Sequence, residues 1–119
     1  MIPQRVIAIL DDVGQVAAEL STEVEGHREF ITVSKAETSE IDTAAFRKRF
    51  PYLGRIYYTV WRFRVVEKVI EDDIDIWEDD MIDLQKMYVS NLEEVEAILQ
   101  MWQFDPANLL PPNQTEVPI

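Results

Sequence analysis

The hydrophobic pattern of this chain is densest between Gly54 and Ile70, where Ile56, Tyr57, Tyr58, Thr59, Val60, Trp61, Phe63, Val65 and Val66 are almost all β-branched or aromatic. Such residues suit a pleated, half-buried strand, and Pro51 and Gly54 punctuate a loop just before it. The pattern predicts a strand over residues 55–66. Alternation puts Tyr57, Thr59, Trp61, Phe63 and Val65 on one face, which reads as the core face. The other face carries Ile56, Tyr58 and Val60, then Arg62 and Arg64, so it is apolar at one end and basic at the other. On this reading Trp61→Ala costs about 3–5 kcal/mol, as a large core deletion does. A helical pattern competes. Ile56, Val60, Phe63, Ile70, Ile74, Trp77, Met81, Leu84 and Tyr88 follow steps of four and three, broken only at Glu67, and this ladder predicts helix over residues 76–88.

Toward the N-terminus, Val6, Ile9, Leu10, Val13, Val16, Ala17 and Leu20 recur at helical spacing and predict an amphipathic helix over residues 4–21, with Gly14 inside it. The alternative divides the stretch into a strand over residues 5–10 and a helix after it. Glu29 to Val33 read as a short strand closed by a polar loop over residues 34–40. Asp42 or Thr43 is placed to cap a short helix running to Arg49, which Pro51 ends. Past the central stretch, Asn91 is a favoured cap and Glu93 and Glu94 fall in a first turn, where the helix dipole favours anions. Leu92, Val95, Ile98, Leu99 and Trp102 then make one apolar face. Pro106, Pro111, Pro112 and Pro118 predict an extended tail over residues 105–119, gripped by Leu109, Leu110, Val117 and Ile119.

Together these elements predict one α+β domain over residues 1–104, with the tail after it. A small antiparallel sheet centred on residues 55–66 packs with N-terminal and C-terminal helices. An all-α bundle is the alternative if the four-three ladder is real. A length of 119 residues allows one core, and 47% hydrophobic content argues against disorder. The absence of cysteine excludes disulfides, zinc-thiolate sites and thiol catalysis. The five-residue apolar run from Val6 to Leu10 is too short for a signal-peptide core and no stretch is long enough to span a membrane, so the expected compartment is the cytoplasm.

Charge is spread unevenly along the chain. Residues 1–46 hold three basic and nine acidic side chains, a net −6; residues 47–68 hold seven and one, a net +6; residues 69–119 hold one and thirteen, a net −12. A basic middle is thus flanked by acidic ends, and direct nucleic-acid binding is disfavoured because phosphate contacts need cations across a whole face. Arg47, Lys48, Arg49, Arg55, Arg62, Arg64 and Lys68, with Tyr57, Tyr58 and Trp61 interleaved, could form a basic patch. Pairing with the chain's own surplus of acids is the more ordinary expectation.

The acidic run holds Glu71, Asp72, Asp73, Asp75, Glu78, Asp79, Asp80 and Asp83 with no cation among them. A calcium loop needs glycine at its sixth position, and counting from Glu71 or Asp73 that position is Ile76 or Glu78. A Mg²⁺ site is compatible with the composition but nothing in the spacing requires it. Carboxylates along an edge can also imitate a nucleic-acid backbone and block a basic cleft. Ile74, Ile76, Trp77 and Met81 interleave with them, as aromatic and apolar anchors do in an interface ringed by charge. The bland reading is a solvated face whose apolar residues pack inward.

His27, the single histidine, sits in a polar turn and reads as an exposed side chain, with no nucleophile-elbow motif anywhere to recruit it. The three glycines form no phosphate loop. No catalytic constellation, cofactor motif or metal set is expected. The expected function is a non-catalytic binding module, an acidic inhibitor or immunity-type protein that masks the basic cleft of a toxin or nuclease. Asp72, Asp73, Asp75, Glu78, Asp79, Asp80 and Asp83 supply its charge, and Trp77 and Tyr88 its anchors. The alternative is an accessory subunit docking through its tail and the basic–aromatic middle. Either role leaves homo-oligomerisation open.

Overall fold

A computed structural model describes residues 1–37 and 43–118. In chain order it runs α1 (Gln4–Val13), β1 (Gln15–Leu20), β2 (His27–Glu37), α2 (Thr43–Arg49), β3 (Ile56–Val66), α3 (Glu67–Glu71), β4 (Ile82–Val89) and α4 (Leu92–Met101), followed by the tail. The strands form an antiparallel meander in the order β1-β2-β3-β4. The architecture is α+β, as expected, and not an all-α bundle.

At the N-terminus neither predicted division holds. The chain is helix first and strand second. Gly14 takes the left-handed conformation at φ 87° and its N–H bonds the Leu10 carbonyl, which ends α1 after ten residues. Val16 and Ala18 then alternate inward as β1. Their spacing from Leu10 imitates a helix only because small and apolar residues crowd both sides of β1.

Strand β2 is longer than the predicted residues 29–33. The expected polar loop at 34–37 is strand instead, because Ser34 to Glu37 pair with Thr59 to Ile56 on β3. Residues 38–40 of that loop, and the capping expected of Asp42 or the Thr43 side chain, lie outside the described residues. Strand β3 matches its prediction within one residue and sits centrally between β2 and β4.

The helix expected over residues 76–88 is β4, preceded by a 3-10 turn at Glu78–Asp80. The four-three ladder does not lie on one face: Ile74 and Trp77 are exposed while Ile76, Met81 and Leu84 turn inward. Pairing to the free edge of β3 satisfies a full row of backbone groups, and that tertiary demand overrides the local period. One extra residue in β4 opposite Phe63 forms a bulge, with Asp83 at φ 52°.

Both sheet faces are packed. On one, Val6 and Leu10 of α1, Val95, Ile98 and Leu99 of α4, and Leu109 of the tail cover Val16, Ile31, Val33, Val60 and Val89. This principal core therefore uses the Tyr58–Val60 face of β3, the one predicted to be secondary. The predicted core face carries a smaller cluster of Phe30, Phe63 and Val65, against which Trp61, Ile70, Ile76, Met81, Leu84 and Val117 pack half-buried.

Helix α4 forms as its sequence signals require. Asn91 Oδ1 accepts the Glu94 N–H at 2.9 Å, and Val95, Ile98 and Leu99 are buried. Asn91→Ala should lower stability by about 1 kcal/mol, measurable as a small shift in a urea midpoint with unchanged slope.

Along its described length the tail is bound to the domain. Leu109 is buried in the principal core, and Leu110 and Ala17 exchange backbone hydrogen bonds of 2.8 and 2.9 Å, which covers the outer edge of β1. The Arg5 guanidinium donates to the carbonyls of Ala107 and Leu109. Ile119, also expected to contribute grip, lies outside the described residues.

Candidate functional site

The acidic run is not a helix face but a loop that crosses the end of the smaller cluster. Helix α3 sets Ile70 against that cluster, Asp73 turns the chain at φ 50°, and residues 74–77 form no regular element, with Trp77 itself extended. The Asp80 carboxylate accepts the Trp77 N–H at 2.9 Å, while the Asp80 N–H donates to the Trp77 carbonyl at 2.9 Å. This reciprocal turn points Trp77 outward and returns Met81 inward. Trp77 is 78% exposed and Ile74 51%, which is unusual for large apolar side chains in a chain with a core to fill.

The eight carboxylates divide into two groups. Glu78 pairs with Lys86 at 2.8 Å, Asp83 with Arg64 at 2.5 Å, and Asp80 holds the turn. Burial pulls the Lys86 ammonium down, but its contacts with Glu78 and Tyr88 outweigh this and leave its pKa raised above the ordinary lysine value. Glu71, Asp72, Asp73, Asp75 and Asp79 are exposed, and their carboxylates have no hydrogen-bond or ion-pair partner among the described residues. Five unneutralised carboxylates thus surround two exposed apolar side chains. Among the described residues no three His, Asp or Glu side chains converge as a metal ion would need. A hollow of about 360 Å³ separates the loop from the tail, lined in part by Ile70, Asp73, Asp75, Glu116 and Val117.

Of the predicted site residues, Asp72, Asp73, Asp75, Trp77, Glu78, Asp79 and Asp80 are brought together in this loop. Asp83 lies just beyond, engaged with Arg64. Tyr88 is not brought there. It lies at the far end of β4, with its ring 4.6 Å from Phe50 and 6.3 Å from Tyr57.

The basic middle does not form one patch. Arg62 and Arg64 lie on the face of β3 opposite Tyr57 and Trp61 and pair with Glu29 and Asp83. Arg55 pairs with Glu37. These three follow the expectation of internal pairing. Arg47, Lys48 and Arg49 on α2 do not: all three are exposed and none makes an ion pair with a described residue, though the Arg49 guanidinium lies 5.2 Å from the Phe50 ring centroid. Helix α2 is held by Phe46 against Tyr57 at 4.9 Å and by Phe50 against Tyr88, at the opposite end of the sheet from the acidic loop. The sequence signal for this feature is the run of three consecutive cations before Phe50, which differs from the isolated arginines that pair on the sheet.

His27 opens β2 half-buried, contrary to its expected exposure, and its Nδ1 is buried without a partner. No helix among the described residues is long and apolar enough to cross a membrane. No known protein family, curated protein or solved structure matches this chain.

Proposed function

We propose that this chain is a non-catalytic protein-binding module whose acidic loop masks the basic cleft of a toxin or nuclease, as an inhibitor or immunity-type protein does. One observation carries the reading: Trp77 and Ile74 stand exposed amid five carboxylates that form no ion pair with any described residue. An aromatic anchor ringed by charge combines the two parts of a high-affinity interface, desolvated area and complementary potential. A solvated face would have turned its indole inward, as the loop does with Ile76 and Met81.

The accessory-subunit alternative receives less support, because the apolar side chains Leu109 and Val117 that would grip another protein pack on this chain's own sheet. The compartment in this reading is the cytoplasm, where the sequence also places the chain by its short N-terminal apolar run.

The test is affinity capture from native extract at low and near-molar salt, followed by kinetics with the captured basic protein. Reversing Asp72, Asp75 and Asp79 to lysine should slow association roughly ten- to a thousandfold at low salt. Trp77→Ala should cost about 2 kcal/mol or more of affinity, chiefly through faster dissociation. Unchanged kinetics in both variants would sink the reading.

A further inference from the structure

The acidic loop and α2 are complementary halves that cannot meet within one molecule. Loop and helix pack at opposite ends of β3, and the nine residue steps from Tyr57 to Val66 separate them by roughly 30 Å. That exceeds the screening length of about 8 Å at physiological salt severalfold. Each end has charges in no ion pair among the described residues: Glu71 at the end of α3 with Asp72, Asp73, Asp75 and Asp79 in the loop, and Arg47, Lys48 and Arg49 on α2. Exposed apolar side chains stand at each end too, Ile74 and Trp77 at one, and Tyr52 and Ile56 at 59% and 48% exposure at the other. An isolated acidic cluster would say little. Two unpaired clusters of opposite sign, each with its own apolar anchors, are the two faces of a head-to-tail contact.

We propose that the acidic loop of one copy docks on the α2 end of a second copy. The proposal rests on the reading of the loop as a docking surface and adds a partner to it: this chain itself, engaged when no cognate basic protein occupies the loop. Self-association would then compete with partner binding for Trp77.

Whole-molecule repulsion gives the contact an unusual salt dependence. Each copy has a net charge of −12. At about 0.01 M salt the screening length is about 30 Å, so whole copies repel. At about 0.15 M only facing charges are felt and the loop attracts α2; at about 1 M that attraction is screened as well. Association therefore peaks at intermediate salt, whereas a foreign basic protein binds tightest at the lowest salt.

The experiment is sedimentation velocity on the full chain at these three salts, with two charge-reversal variants. One carries Asp72→Lys, Asp75→Lys and Asp79→Lys; the other carries Arg47→Glu, Lys48→Glu and Arg49→Glu. The wild type should show concentration-dependent growth at intermediate salt. Each variant alone should associate at least about tenfold more weakly. An equimolar mixture pairs intact loop with intact α2 and reversed loop with reversed α2, opposite in sign at both contacts, so it should regain the concentration-dependent growth that each variant alone loses. Trp77→Ser and Tyr52→Ser provide a second pair that leaves charge untouched, should a reversal variant lose its circular dichroism spectrum.

A wild type that stays monomeric at all three salts overturns this proposal and leaves the foreign-partner reading intact. Self-association undiminished by the loop substitutions overturns this proposal, and unchanged binding to a captured basic protein would separately overturn the other.

Discussion

Replacing Phe63 with alanine should lower the unfolding free energy by about 3–5 kcal/mol. Phe63 is almost wholly buried on the central strand, its ring centroid 5.9 Å from that of Phe30. The fully buried part of this cluster is Phe30, Phe63 and Val65 alone, so few neighbours can collapse into the cavity left behind. The same truncation at Trp61 should cost less than the 3–5 kcal/mol expected from the sequence. Trp61 is half-buried, its Nε1 lacks a partner, and the Lys86 ammonium lies 4.7 Å from its ring centroid, near the surface. Urea unfolding of both variants checks the order. A Phe63→Ala protein no less stable than Trp61→Ala would show that this face is not a core. The acidic loop rests on the same cluster through Ile70, Ile76 and Met81, so Phe63→Ala should also raise hydrogen exchange across residues 70–81.

Truncation after Gln103 should unfold the domain or bring it close to unfolding. Leu109 alone is worth about 2–5 kcal/mol as a buried leucine deleted to alanine. Truncation also removes the paired bonds between Leu110 and Ala17, both carbonyl acceptors of Arg5, the Arg28–Glu116 ion pair at 2.8 Å and the packing of Val117. Against a typical total stability of about 5–15 kcal/mol, these losses leave little. The edge of β1, bare without Leu110, would become a pairing site for other chains. Thermal melts and light scattering of the truncated chain read both effects. A truncated protein that melts like the whole chain would show the tail to be dispensable. For the accessory-subunit reading, truncation is therefore a poor test of docking, and substitution of exposed tail residues is the better one.

The elements legible from sequence were those whose local signals agreed with their tertiary role. Strand β3 combines β-branched and aromatic residues with punctuation before it, and α4 has a cap, a first-turn pair of acids and one apolar face. The misread elements were those where two periods coexist. Residues 70–88 satisfy a helical ladder and are nonetheless loop and strand, because β3 offers an edge to pair with. Val16 to Leu20 continue the period of α1, yet Gly14 breaks the helix and β2 claims them. Which face of β3 is the principal core was also misjudged. Val60 lies among Val33, Ile31 and two helices, a neighbourhood that no local pattern contains.

The class of domain, the central strand, the capped C-terminal helix and the concentration of acid in residues 71–83 are legible in the chain alone, because each is a property of neighbouring residues. Only the tertiary structure decided which acids stay unpaired. Glu78 and Asp83 find Lys86 and Arg64 through the β3–β4 turn-back and the bulge, while Glu71, Asp72, Asp73, Asp75 and Asp79 find no cation among the described residues. The tertiary structure likewise withdrew Tyr88 from the loop and turned Trp77 outward. It also set α2 at the far end of the sheet with its three cations in no ion pair with a described residue. Ion pairing and exposure depend on distances between residues far apart in the chain, and the sheet register sets those distances.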